Sequence, residues 1–388
     1  MPEHYSVWTR PFIIITVTNF ALFFAFQMLN PVLPLYLKQL GATDTVIGVF
    51  GAFMSVGSLL MRPVAGRLLD RYGRKYILII GAVFITVLIQ AYAWVKVVAL
   101  LTLLRFLHGV SWSFTVTGCN TVATDSIPRQ HMGQGMAWYG LSNAMAQAIS
   151  PAIGLALFAA MGFHFTANMS TLIMVLVVLL ALRYPYRPDQ IHREPPEEGA
   201  DKTVFIEPTA VLPSIIVGCM TMTMFAITGF ISLYGTSLGL EHIGFFFVFY
   251  ALGILCVRPV LASVIERTGP ITVLLPCLVL AFIGVSLLGF AHSLPPILLA
   301  GFIYGIGWGA VQTSLQTMAV MRAPASRYGA ANGTFFIGFD LGMGIGSLVA
   351  GVLSQHFGYG TMYHLISLMV VAAFMLSLYA RRTIREDA

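Results

Sequence analysis

Apolar runs of about 20 residues recur along nearly the whole chain, and each is long enough to cross a hydrocarbon layer about 30 Å thick. Only 9% of the 388 residues are charged, 58% are hydrophobic, and the mean hydropathy is +0.85. That composition excludes an ordinary soluble globule. Backbone in hydrocarbon must satisfy its own hydrogen bonds, so the runs are expected to be helices. Barrel strands would be about ten residues long and strictly alternating. Twelve spans are expected. They include Pro11–Leu37, Asp44–Leu69, Tyr76–Val95, Val97–Thr124, Gln134–Ala160, Thr166–Tyr184, Pro296–Met321 and Gly329–Ser354.

Charge sorts by side. Of the 21 Lys and Arg, Lys38 and Lys96 fall on one side and Arg105 and Arg258 within spans; the remaining seventeen share the other side. By the positive-inside rule that side is the cytoplasm, and it holds both termini. The net charge of +6 therefore reads as membrane orientation, and no nucleic-acid partner is expected. Cys119, Cys219, Cys256 and Cys277 lie within spans without a C-x-x-C pair, which predicts neither a disulfide framework nor a zinc site. The run after Arg10 is too long for a signal-peptide core and reads as a retained span.

The densest charge lies between the second and third spans, where Gly66, Arg67, Asp70, Arg71, Gly73, Arg74 and Lys75 form G-x-L-x-D-R-x-G-R-K. Basic side chains alone would make a positive-inside anchor. The glycines add a tight turn, and the acid adds a specific ion pair. The pattern resembles the signature loop between helices 2 and 3 of the major facilitator superfamily of transporters. Leu101-x-x-x-Arg105-x-x-His108-Gly109 resembles that superfamily's helix-4 motif, with His108 where the family usually has Gln. The family's arginine implies a part for Arg105 in proton coupling. An ionisable residue deep in a span marks a function or a buried partner, and His108 is either a coupling residue or a packed one. Asn30-Pro-Val-Leu-Pro34 resembles a first-helix pattern of drug-efflux members. Ala146-x-x-x-Ser150-Pro151-x-x-Gly154 resembles the antiporters' G-x-x-x-G-P-x-x-G-G, keeping Pro151 and Gly154, and reads as helix packing.

The chain is also duplicated. Arg62-Pro-Val through Asp70-Arg-x-Gly73 returns as Arg258-Pro-Val through Glu266-Arg267-x-Gly269, an offset of 196. Gly109 and Trp112 return as Gly305 and Trp308, Thr121 as Thr317, and Pro128 as Pro324. One register across separate landmarks argues for two parallel repeats. The resemblance implies two six-helix bundles around a central cavity, residues 1–184 and 209–388. Residues 185–208, rich in Pro and acids, read as an exposed linker. Arg105 maps to Gly301, so the arginine belongs to the first half alone.

Candidate cavity residues are Asn19, Gln27, Asn30, Trp112 and Asn120 in the first half, and Tyr304, Trp308, Gln312 and Gln316 in the second. Asp340 is the one acid expected deep in a span, on a small-residue face with Gly333, Gly344, Ser347 and Gly351. It is either a proton carrier, if its surroundings alternate between wet and dry, or a fixed acid holding its helix. The expected function is secondary active transport by alternating access, favouring proton-coupled efflux of a small organic, drug-like or amphipathic molecule. The protein is expected as a monomer in the cell (inner or plasma) membrane, with no cofactor beyond the proton gradient. A narrower carrier of a sugar, metallophore, metabolite or lipid, in either direction, is the second reading. A membrane enzyme would need clustered nucleophile, base or metal ligands near one interface, and no H-E-x-x-H or Walker loop is present.

The basic loop is expected to act as a cytoplasmic latch, with Asp125 as an extra partner for Arg67 or Arg71 and with Glu266 and Arg267 as the second-half counterparts. Asp70→Asn should then impair transport and shift inward-versus-outward cysteine labelling; unchanged transport and labelling would overturn the latch.

Overall fold

The computed structural model describes residues 8–127, 131–185, 206–321, 323–324 and 327–386. These residues are helical almost throughout and contain no strand. In chain order the helices are α1 (Arg10–Leu29), α2 (Val32–Gln39), α3 (Asp44–Tyr72), α4 (Arg74–Trp94), α5 (Val98–Ser126) and α6 (Met132–Arg183). They continue as α7 (Pro208–Ser237), α8 (Phe245–Thr268), α9 (Pro270–Phe290), α10 (Leu294–Met321) and α11 (Tyr328–Glu386).

The first span begins at a capped end, where Thr9 accepts the Phe12 N–H at 3.3 Å, and it breaks at Asn30-Pro31. Proline has no N–H to continue the ladder, so α1 and α2 together make one crossing, Arg10–Gln39. Helices α6 and α11 each break once, at Gly162 (φ 76°) and Gly358 (φ 77°). Each is long enough to cross twice. With α8, whose apolar stretch is Phe245–Arg258, the described residues make twelve passes.

The duplication is visible in the geometry. The left-handed turns at Gly73 (φ 95°) and Gly269 (φ 79°) are one repeat apart, and so are the breaks at Gly162 and Gly358. Glycine reaches positive φ without a Cβ penalty, so each tight reversal keeps its glycine. An added Cβ on Gly57 of α3 would strike the Phe106 carbonyl of α5; one on Gly253 of α8 would strike the Phe302 carbonyl of α10. Tyr36 donates to the Val95 carbonyl (3.2 Å) and Tyr234 to the Ala291 carbonyl (2.7 Å). Those acceptors are again 196 apart, although the donors are two residues out of register.

The chain divides into two compact units, Met1–Tyr36 with Val56–Arg193, and Leu37–Ser55 with Glu194–Ala388. The units follow the two repeats except that the first half of α3 packs with the second unit. The cause is a run of small residues. Gly48 and Gly51 lie against Ser347, an added Cβ on Gly344 would come 3.0 Å from Ser55 Cβ, and one on Gly351 would come 2.5 Å from the Asp44 carbonyl. Small faces let backbones close to van der Waals contact. Two polar contacts seal this end: Thr45 N–H donates to Gln355 Oε1 at 3.0 Å, and Lys38 pairs with the buried Asp44 at 2.5 Å.

In the first unit α6 presses on α1, and an added Cβ on Gly154 would collide with the Met28 carbonyl. Gly154→Ala should therefore destabilise by about 1–3 kcal/mol, the usual cost of overpacking. Gly140→Ala, where an added Cβ meets nothing within 4 Å, should be near neutral. Thermal unfolding of the two purified variants checks the contrast.

Candidate functional site

In the first unit, α5 presents Arg105, His108 and Trp112 toward α1 and α4. Three- and four-residue spacing stacks them on one helix face. Arg105 is 4% exposed and His108 1%. A guanidinium at this depth needs compensation. Arg105 Nη2 donates to Asn30 Oδ1 at 3.1 Å, and its guanidinium carbon lies 5.5 Å from the Phe26 ring centroid. Tyr92 Oη is 3.1 Å from His108 Nδ1. Phe26 stands edge-on to His108 (5.8 Å) and close to Trp112 (4.3 Å), so the polar group is walled by aromatic rings.

Further along α5, a second polar group ties α1, α5 and α6. Asn19 is fully buried and donates to Ser142 Oγ at 3.1 Å. Tyr139 Oη lies 2.9 Å from Asn19 Oδ1 and 3.0 Å from Asn120 Oδ1. A phenol has one proton, so it donates to one amide and accepts from the other, whose oxygen and nitrogen are then exchanged. Gln27 is half-buried on α1. Arg105, His108, Asn30 and Trp112 thus come together, while Asn19 and Asn120 belong to the separate Tyr139 group.

In the second unit, Tyr304 is fully buried, hydrogen-bonded to Thr223 (2.8 Å) and stacked on Tyr250 (6.0 Å). Trp308 lies 6.3 Å from Phe339, which also neighbours Phe336 and Phe225. Gln312 and Gln316 are half-buried. Asp340 is 2% exposed. The neighbouring stripe of α11, Gly338, Gly342 and Gly346, seats directly on the α7 backbone around Ser214, Gly218 and Met222. Gly333, expected on the Asp340 face, meets nothing within 4 Å.

At the basic loop, the surroundings of Gly66 and the side chains of Asp70 and Glu266 lie outside what the structure describes. Arg67, Arg71 and Arg267 are exposed. Asp125 takes Arg74 rather than Arg67 or Arg71. Gly73 turns the chain at the start of α4, which brings Arg74 to the end of α5 and Lys75 to the end of α6. There Lys75 Nζ donates to the Tyr184 carbonyl at 2.8 Å, and the Tyr184 hydroxyl meets Ser126 Oγ at 2.6 Å. The basic pair found only in the first half thus ties three helix ends within its own unit. In the second unit Pro270 opens α9 at the corresponding position.

A different tie appears there. Glu207, counted from the sequence among the acids of an exposed linker, is 2% exposed. It caps α7 through Thr209, its N–H donates to Thr334 Oγ1 at 2.9 Å, and its carboxylate lies 3.7 Å from Arg327. Residues 186–205 of that linker lie outside the described residues.

Sequence reading missed Tyr92, Tyr139, Ser142, Tyr250, Thr223, Phe336 and Phe339. Each is an unremarkable residue for a membrane helix, and only contact with a neighbouring helix distinguishes it.

The Major Facilitator Superfamily profile matches residues 15–333 and 214–387. The chain belongs to that superfamily. Its fold is therefore the twelve-helix, two-bundle arrangement, and the protein is an integral membrane transporter and not an enzyme. It is 25% identical over 397 residues to the Staphylopine export protein of Staphylococcus aureus, covering 97% of each chain. It is 25% identical over 353 residues to Multidrug resistance protein 1 of Bacillus subtilis, covering 87% of this chain and 88% of that one. Among solved structures it is similar to a bacterial homologue of the human lysosomal transporter Spinster. The TM-score is 0.83 at 15% identity, with 97% of each chain covered.

Burial ranks the polar ties of this transporter. Tyr139→Phe strands buried amides and should cost about 1–3 kcal/mol. Asp125→Asn breaks a partly exposed pair and should cost about 0–1 kcal/mol. Unfolding of both variants in detergent should return that order.

Proposed function

We propose that this transporter is a proton-coupled exporter of small organic molecules, working by alternating access in the cell membrane with both termini cytoplasmic. The observation that carries the reading is Asp340, a carboxylate 2% exposed on a membrane-crossing helix. Twelve residues from Tyr328 at about 1.5 Å each place it roughly 18 Å along α11, near the middle of a bilayer about 30 Å thick. A carboxylate so placed carries a proton across if one side of its cycle is wet and the other dry. Arg105 and His108 are assigned to the coupling as modulators, in the first unit alone. The glycine-bounded basic loop is assigned to the gate.

Trp112, Asn30, Gln27, Trp308, Tyr304, Gln312 and Gln316 are the residues offered for the substrate path, with Phe225, Phe336 and Phe339 added beside Trp308. Aromatic faces and amide groups suit amphipathic cargo, since the rings bury area while the amides orient it. The names of the two relatives, an exporter and a multidrug resistance protein, favour the outward direction. Near-complete coverage by the staphylopine exporter favours a second reading, a narrower exporter of a metallophore-like metabolite.

Substrate-driven proton movement in vesicles decides the role of Asp340. Asp340→Asn should abolish proton movement while leaving equilibrium substrate binding within a few-fold of wild type. Unchanged coupling would overturn the assignment.

A further inference from the structure

We infer that the Arg105 group is a receiving site for a carboxylate on the transported molecule, with His108 as its second donor and Asn30 as the placeholder. The inference names a substrate class for the transporter proposed above and rests on that reading.

The direction of the hydrogen bonds supplies the argument. A guanidinium can only donate. Tyr92 is fully buried, and its hydroxyl proton goes to the partner its Oη meets, His108 Nδ1 at 3.1 Å. An imidazole that accepts at Nδ1 carries its proton on Nε2. The phenol therefore sets the tautomer, and the Nε2–H is left as a donor. A hydrogen bond accepted at Nδ1 polarises the ring, so this last donor is stronger than an isolated imidazole N–H.

That last donor has no acceptor among the described residues, and it is buried at 1% exposure between Phe26 and Trp112. A buried polar group left unmatched costs about 1–3 kcal/mol. An oxygen acceptor would remove that cost; a donor such as an ammonium would add to it.

Asn30 shows where such an oxygen enters. Its Oδ1 already accepts from Arg105 Nη2 at 3.1 Å, and the residue is half-buried beside the Pro31 break between α1 and α2. A neutral amide oxygen is a weaker partner for a guanidinium than a carboxylate, whose charge-assisted bonds are about twice as strong. A ligand carboxylate would displace the amide, take Arg105 with one oxygen and turn the other toward His108. The rings of Phe23, Phe26 and Trp112, packed on one another at 5.1 and 4.3 Å, would hold the apolar part. Arg105 and His108 belong to the first half alone; at the corresponding places the second half has Gly301 and Tyr304.

Calorimetric titration of the purified protein in detergent, without any ion gradient, tests this. The probes are matched sets: benzoate, benzylamine and benzyl alcohol, then indole-3-acetate, tryptamine and indole-3-ethanol. In at least one set the acid should bind about tenfold tighter than its amine and alcohol, as one charge-assisted bond of about 1.4 kcal/mol requires. His108→Phe should weaken acid binding about tenfold, and His108→Gln, whose amide still donates, should restore most of it. Asn30→Asp gives Arg105 an internal carboxylate and should abolish acid binding without lowering Tm. Acids binding no tighter than the alcohols, or no acid binding at millimolar concentration, would overturn the site. So would acid binding by folded Asn30→Asp at wild-type strength. Because the readout is equilibrium binding, its failure leaves the Asp340 coupling result standing, and the reverse holds too.

Discussion

A backbone amide or carbonyl in hydrocarbon has no water to bond, and the architecture of this chain follows from that constraint. Every crossing among the described residues is a helix, and several connections between them are cut to almost nothing. Single glycines at positive φ reverse the chain at Gly73, Gly162, Gly269 and Gly358. With no hydrophobic drive between helices in lipid, association rests on close backbone contact and on polar pairs. Both are abundant. Gly154 against Met28, Gly57 against Phe106 and Gly342 against Gly218 bring backbones together, while Tyr139, Tyr92, Tyr304 and Glu207 join helices by hydrogen bonds or charge.

Duplication supplied the frame, and divergence within it supplied the chemistry. The turns and the helix crossings at Gly57 and Gly253 hold their register across the 196-residue offset. The polar residues do not. His108 corresponds to Tyr304 in the repeat, Arg105 to Gly301, and Gln27 to Thr223. One half therefore carries a cationic hydrogen-bonded group, and the other an aromatic stack with Asp340 on a glycine-lined helix. Backbone geometry tolerates little change because a Cβ in the wrong place has nowhere to go. Side chains that point inward are free to change once every polar atom still finds a partner.

The same tolerance explains how much of the site was legible. Arg105, His108 and Asp340 stood out because charge is expensive in a span, and all three are buried as that expense demands. Asn19 and Asn120 stood out as polar amides in apolar spans. What engages them, a phenol and a serine from α6, has no signature in a chain with 15 tyrosines. Glu207 shows the opposite case. Its neighbours in sequence are linker acids, yet a cap on α7 and the approach of Arg327 draw it under cover.

The sequence by itself determined the number of crossings, the repeat, the family and the residues whose polarity required an account. Those follow from periodicity, composition and register, which are local or translational properties of a string. Tertiary structure decided the pairings: Asp125 with Arg74 rather than Arg67 or Arg71, the first half of α3 with α11, and Tyr92 with His108. A pairing depends on which helix faces meet in space, at separations of tens to hundreds of residues along the chain. No pattern within one helix specifies the neighbour that will satisfy it.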